Sequence, residues 1–218
     1  MLRSHGLEGG GELPKCVSCS EADGALRCRD CTGFDQYCNK CILESHRRLP
    51  LHRLEVPIII LCSSSPNLLL YQVWNGRFFE QKSLADAGLI VHLGHHGAPC
   101  PTLNAPHKKE FIVVHTSGIH RVHLAFCRCY HAGVGYIPHY AQLLRIGWFP
   151  STEQRVSSAF SMAVLDFFLE QTHQGKTNMY DFYRGLERLN DPARVYQKPT
   201  VSFNLDARHP STSKLITV

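Results

Sequence analysis

The sequence has no apolar run long enough to cross a bilayer and no glycine-rich loop of the phosphate-cradling kind. Each absence removes a class of function. The one suspicious stretch, VPIIILCSSSPNLLLYQV (56–73), is broken by Ser63, Ser64, Ser65, Pro66 and Asn67. Neither half approaches the roughly 20 apolar residues of a membrane helix. The opening MLRSHGLEGGGELPK lacks the apolar centre of a secretory signal, so paired cysteines read as metal ligands rather than disulfides. Carboxylates suited to catalytic Mg²⁺ are few: Asp166 and Asp181 fall on helix-like patterns, where a solvated face accounts for them. No internal repeat is present. A net charge of +5 and a pI near 8.7 are too mild to point to nucleic acid by themselves.

Cysteine and histidine are abundant instead, at 10 and 14 of 218 residues. Six cysteines fall between 15 and 54 in the order Cys16, Cys19, Cys28, Cys31, Cys38, Cys41, followed by His46 and His52. The pattern is C-x2-C, x8, C-x2-C, x6, C-x2-C, x4, H, x5, H. Zinc takes four ligands in a tetrahedron, and a C-x2-C knuckle sets two thiolates at the required angle, so eight ligands mean two ions. Intervals this short predict an interleaved cross-brace. Cys16, Cys19, Cys38 and Cys41 share one Zn²⁺; Cys28, Cys31, His46 and His52 share the other. The competing readings are disulfides and unligated thiols. The segment has few large apolar residues, so metal must supply its folding energy. The order also resembles B-box and related cross-brace fingers.

A charge count bears on what this finger touches. From Arg3 to Arg53, eight Lys/Arg face seven Asp/Glu, and six thiolates with two Zn²⁺ bring the total to about −1. A near-neutral module lacks the footprint of a phosphate binder. Arg47, Arg48 and Arg53 are the candidates for a local basic edge that meets a partner; a purely structural finger is the bland alternative.

A second cluster lies in LGHHGAPCP and FCRC: His95, His96, Cys100, Cys127 and Cys129. Three cysteines need one further ligand for a third Zn²⁺ site. His120 is seven residues before Cys127 on one predicted strand, roughly 23 Å away at about 3.3 Å per residue. His95, on a Gly-rich loop beside Cys100, has no such obstacle and is the expected fourth ligand, with His96 next. Core cysteines among surface histidines are the alternative. A nucleophilic Cys127 served by His115, His120 or His123, as in a thiol hydrolase, is the enzymatic reading. A thiol two positions from another, downstream of a Cys-Pro loop, reads more simply as a metal knuckle.

The expected fold is a small zinc-stabilised cross-brace finger (15–54) followed by an α+β domain (74–190) with a short antiparallel sheet and C-terminal helices. Residues 1–14 read as a flexible leader, 55–73 as an atypical apolar insert and 191–218 as an irregular tail. Within the domain, Asn-Gly in WNGRFF marks a tight turn, and SLADAG carries a helix cap at Ser83 with Gly88 as a stop. LIVHL (89–93), FIVVH (111–115) and HRVHLAFC (120–127) read as strands, the last two joined as a hairpin through Thr116, Ser117 and Gly118. Helices are expected over 156–172, with Phe160, Val164, Phe167 and Phe168 on one face, and over 179–189.

The blocks WNGRFFEQKSLADAGLIVHLGHHGAPCP, FIVVHTSGIHRVHLAFCRC, QLLRIGWFPST and YDFYRGLERLND, with HRRLPLHRLE upstream, resemble the cysteine-cluster domain associated with KDZ transposases, a fungal mobile-element family. The resemblance covers most of the chain, in order. It implies a zinc-coordinating, non-catalytic accessory region that precedes an RNase H-like transposase domain. Cys16 through Cys41, Cys100, Cys127 and Cys129 are then the cluster residues. It further implies a nuclear protein contacting DNA or a transposon-encoded protein, with no membrane and no small-molecule substrate. A B-box-like protein-interaction module without a nucleic-acid role is the alternative. Two departures stand out. Residues 56–72 intervene where the family runs almost directly into WNG, which suggests a retained intron, and the match fades after Asp191, which suggests truncation before the catalytic domain.

Overall fold

A computed structural model describes residues 14–55, 73–74, 79–80, 82–102, 107–131 and 135–190. The expected leader, the apolar insert with Cys62, the Asn75-Gly76 turn and the tail beyond 190 lie outside the described residues, apart from the edges of these segments. The chain divides into two compact units, Met1–Leu89 and Ile90–Val218.

The first unit is built from β1 (Arg27–Cys28), α1 (Asn39–Ser45), β2 (Arg53–Glu55), β3 (Val73–Trp74), β4 (Phe79–Glu80) and β5 (Lys82–Ser83). β1, β2 and β5 form one antiparallel sheet, and β3 pairs antiparallel with β4. A small core of Leu26, Ile42, Leu54, Leu84 and Leu89 lies beneath it. The unit therefore extends beyond the expected finger boundary at residue 54. β5 covers the open edge of β2, pairing Arg53 with Ser83 and Leu54 with Lys82. The segment after it supplies two of the five core leucines and isoleucines. Ser83 is a strand end rather than a helix cap, yet it keeps the cap chemistry. Its N–H and hydroxyl donate to the Asp86 carboxylate at 2.9 and 2.7 Å, and Asp86 N–H donates back to Ser83 Oγ at 3.1 Å. Gly88, at φ +103°, closes this single turn where an L side chain would be strained.

The second unit contains β6 (Ile90–His92), β7 (His107–His115), β8 (Gly118–Ala125), β9 (Tyr130–His131), β10 (Gly135–Tyr136), α2 (His139–Arg145), β11 (Trp148–Pro150), β12 (Ser158–Ser161), α3 (Met162–Gly175) and α4 (Met179–Asn190). The architecture is α+β, as expected, with a larger sheet: five strands in the order β11-β12-β7-β8-β6. The sheet is mixed rather than purely antiparallel. β7 and β8 form the expected hairpin, while β12 runs parallel to β7 and β6 parallel to β8. Phe111, Val113, Val114, Val122 and Leu124 are fully enclosed.

The expected helix over 156–172 is corrected at its start. Ser158–Ser161 is an interior strand buried at every position, and α3 begins only at Met162, its Val164 N–H capped by Ser161 Oγ at 3.2 Å. A strand enclosed on both faces lacks the in–out alternation that announces a strand, so Phe160 and Val164 read from the sequence as one helical face. Phe160 still packs with Val164, together with Val114 and Leu186. Among the described residues no helix is long and apolar enough to cross a membrane.

Candidate metal centres

All nine described cysteines are free of disulfide bonds, and all nine fall into three groups of four Cys/His donors. In each group the donor atoms lie within 4.8 Å of one another. The groups are Cys16, Cys19, Cys38 and Cys41; Cys28, Cys31, His46 and His52; and His95, Cys100, Cys127 and Cys129. The first two interleave along the chain.

Helix α1 explains the interleaving. Cys38 precedes the helix and Cys41 lies in its first turn, three positions on and hence on the same face. His46 is the residue that closes the same helix. A seven-residue helix is about 10 Å long at 1.5 Å per residue, so its two ends serve two separate ions. The first group is completed by the Cys16–Cys19 knuckle, a tight turn in which Ser20 N–H donates to Cys16 C=O at 2.8 Å. The second is completed by the β1–β2 ladder: Cys28 pairs with Leu54, which brings His52 alongside Cys28 and Cys31.

The donor separations test whether a metal ion fits. A regular tetrahedron with metal–sulfur bonds of about 2.3 Å and metal–nitrogen bonds of about 2.0–2.1 Å has S···S edges near ~3.8 Å and S···N edges near ~3.5 Å. Cys19 Sγ to Cys38 Sγ is 3.9 Å, Cys100 Sγ to Cys127 Sγ 3.8 Å and Cys100 Sγ to Cys129 Sγ 3.6 Å. Cys28 Sγ and Cys31 Sγ stand 3.3 and 3.5 Å from His52 Nδ1, and Cys31 Sγ stands 3.4 Å from His46 Nε2. His95 Nε2 is 3.3 Å from both Cys127 Sγ and Cys129 Sγ. These are tetrahedral edges around a zinc-sized ion, and the soft thiolate and imidazole donors suit zinc.

The histidine tautomer supports the same fit. His46 is 4% exposed, and its Nδ1 lies 3.0 Å from Ile42 C=O, which can only accept. Nδ1 therefore carries the proton, and Nε2 faces Cys31 with its lone pair. Electrostatics point the same way. Burial opposes ionisation of Cys16, but the N–H groups of Cys38, Cys19 and Ser18 outweigh it and draw its pKa down to about 6. Cys100 falls to about 5, chiefly through the Arg128 N–H, with Thr102 helping against burial. Two other thiols resist ionisation. Burial and then the Cys31 thiol push Cys28 up to about 12, and the Cys38 thiol does the same to Cys41. A thiolate therefore forms readily at Cys16 and at Cys100, whereas burial and neighbouring thiols hold back Cys28 and Cys41.

The third group follows from sheet topology. β6 and β8 are parallel, in the register Ile90 to His123, Val91 to Leu124 and His92 to Ala125, so both chains leave the sheet at the same end. The loop after β6 carries His95 and Cys100; the loop after β8 carries Cys127 and Cys129. His95 and His96 both have positive φ, 51° and 55°, a strained turn that aims His95 at the sulfurs. His96 is not in the group. His120, buried, is bonded to Ser117 Oγ at 2.9 Å, and His115 to Ser161 Oγ at 2.7 Å, so two of the three histidines of the enzymatic reading are engaged away from Cys127.

Two of the three candidate partner-binding arginines are differently employed. Arg53 is only 20% exposed, and its guanidinium and backbone N–H clasp the Asp30 carboxylate, at 3.2 Å from Nε and 2.7 Å from the amide. This clasp fastens β2 beside Cys31 and His52, so Arg53 has a structural task within the unit. Arg47 pairs with Glu44 at 3.2 Å on the surface. Arg48 is exposed.

A family model described as "CxC2 like cysteine cluster associated with KDZ transposases" matches residues 84–194. The match takes in the third donor group and leaves the first two upstream. No curated protein and no solved structure matches the chain.

Proposed function

The chain belongs to the CxC2-like cysteine-cluster family associated with KDZ transposases, and we propose that it is a zinc-organised, non-catalytic accessory module of such a transposon protein. The observation that carries this reading is the set of three four-donor groups whose donor atoms all lie within 4.8 Å of one another. Each would hold one Zn²⁺: a four-sulfur site, a two-sulfur two-nitrogen site and a three-sulfur one-nitrogen site. With every described cysteine so committed, a free thiolate nucleophile is left nowhere among them.

The work of the module is then binding, to DNA or to the element's own proteins, in the nucleus. For the finger, protein contact is the reading we favour. From Arg3 to Arg53 the charge balances to about −1 with two ions bound, and Arg53 and Arg47 are occupied by Asp30 and Glu44. Phosphate contacts give affinity that falls steeply with salt. Titrating labelled duplex DNA with the purified chain between low and physiological salt tests this. Weak binding without sequence preference fits the protein-contact reading; tight binding with a steep salt slope that Arg48→Ala reduces would overturn it in favour of DNA.

A further inference from the structure

We infer that Gln142 is a positioning residue for the third metal centre, shaping the backbone of the ligand Cys127; the inference rests on the reading that this centre holds zinc. β8 ends at Ala125, so Cys127 leaves the sheet and has no ladder neighbour for its peptide groups. Gln142, in the first turns of α2, takes the place of that neighbour. Its Oε1 accepts from Cys127 N–H at 2.8 Å, and its Nε2 donates to Cys127 C=O at 2.9 Å. The second Nε2 proton goes to Ile137 C=O at 2.9 Å. A side-chain amide here mimics a β-strand peptide and grips one residue by both of its backbone groups.

Gln142 is 2% exposed, beside the fully buried Leu143 on the same helix. A leucine or methionine would fill such a place at no polar cost, whereas a glutamine is tolerated only when its amide is satisfied. Here Cys127 and its neighbour Ile137 satisfy it. Gly94 completes the mould from the other side: a Cβ at this position would lie 2.6 Å from Cys127 Cβ and 3.1 Å from its Sγ. Neither residue can ligate zinc in this arrangement, yet both are shaped to the same ligand. Gln142 sets the backbone of Cys127, and Gly94 leaves room for its thiol.

The test uses the full chain loaded with cadmium and, separately, with zinc. The three donor sets differ in sulfur count, so cadmium NMR resolves three resonances, and Cys100→Ser identifies the third by removing it. Gln142→Met removes three hydrogen bonds at nearly constant volume. We expect it to displace or broaden the third resonance alone, and to speed release of that one zinc to a colorimetric chelator by roughly 10–100-fold. Gln142→Glu keeps an acceptor for Cys127 N–H but sets its other oxygen against the Cys127 and Ile137 carbonyls, so its release rate should be at least as fast as that of the methionine variant, which also serves if the methionine chain does not fold. An unchanged third resonance and release rate in both variants, with three ions bound, would overturn the inference and leave the zinc reading intact. Only two ions in the parent chain, unaffected by Cys100→Ser, would sink the zinc reading of this centre and the inference with it.

Discussion

The two units solve the problem of folding with cysteine in opposite ways. In Met1–Leu89 the donor groups are large beside the core: five buried leucines and isoleucines form the described apolar cluster, and eight Cys/His donors that could hold metal converge between Cys16 and His52. In Ile90–Val218 a five-stranded sheet encloses Phe111, Val113, Val122, Leu124 and Phe126, and one metal group fastens two loops at its end. The same donor chemistry is a skeleton in one unit and a clasp in the other. The difference teaches that a cysteine cluster has no fixed energetic meaning. What it contributes depends on how much apolar surface the surrounding chain can bury without it.

Stripping the ions should divide the units most sharply. With excess chelator, amide protection across β1, β2 and α1 should vanish while β7 and β8 stay protected, since structural zinc in small fingers is worth about 10–16 kcal/mol. Hydrogen exchange with mass spectrometry checks this; equal loss in both units would break the comparison. Cys28→Ser confines the same effect to one ion: the first unit should unfold, and a variant that retains both tightly held ions there would contradict the cross-brace. Next comes Phe126→Ala in the second unit. Phe126 is fully buried and stacked on His139 with ring centroids 4.1 Å apart, so denaturant unfolding should show a loss of about 3–5 kcal/mol with the first unit's ions undisturbed.

Asp30→Asn sharpens the comparison on a smaller scale. Burial opposes the charged form of Asp30, but its bonds to Arg53 prevail and hold the carboxyl below its ordinary value of 3.8. A depressed folded-state value means the stabilisation is complete above the ordinary carboxylate range and fades as pH falls through the folded-state value. At neutral pH the substitution should therefore cost about 1–3 kcal/mol, read from the apparent zinc affinity of the second group. Glu44→Ala, which breaks only the exposed pair with Arg47, should change stability by about 0–0.5 kcal/mol.

Much of the metal chemistry was legible in the sequence because donor identity and spacing are local properties. Chain reach was enough to choose His95 over His120 for the third group, and the three groups assemble from the residues so chosen. What escaped depends on pairing between distant segments. The parallel run of β6 along β8, which brings His95 and Cys127 to one end of the sheet, leaves no periodicity to read. Ser158–Ser161 was hidden because burial on both faces erases alternation. β5 and Leu89 belong to the first unit through an edge and a core that no local pattern announces. Arg53 looked like a surface charge because Asp30, its partner, is 23 residues upstream. Gln142 gave one weak signal: an amide among the apolar residues of QLLRIGWF, where a core position has no use for one unless something nearby needs its bonds.

Zinc content of the purified whole chain tests the central claim most directly. Elemental analysis against protein concentration should return close to three zincs per chain, falling to two in Cys100→Ser. A parent value of two or fewer, or no change on that substitution, would contradict the account of three four-donor metal centres.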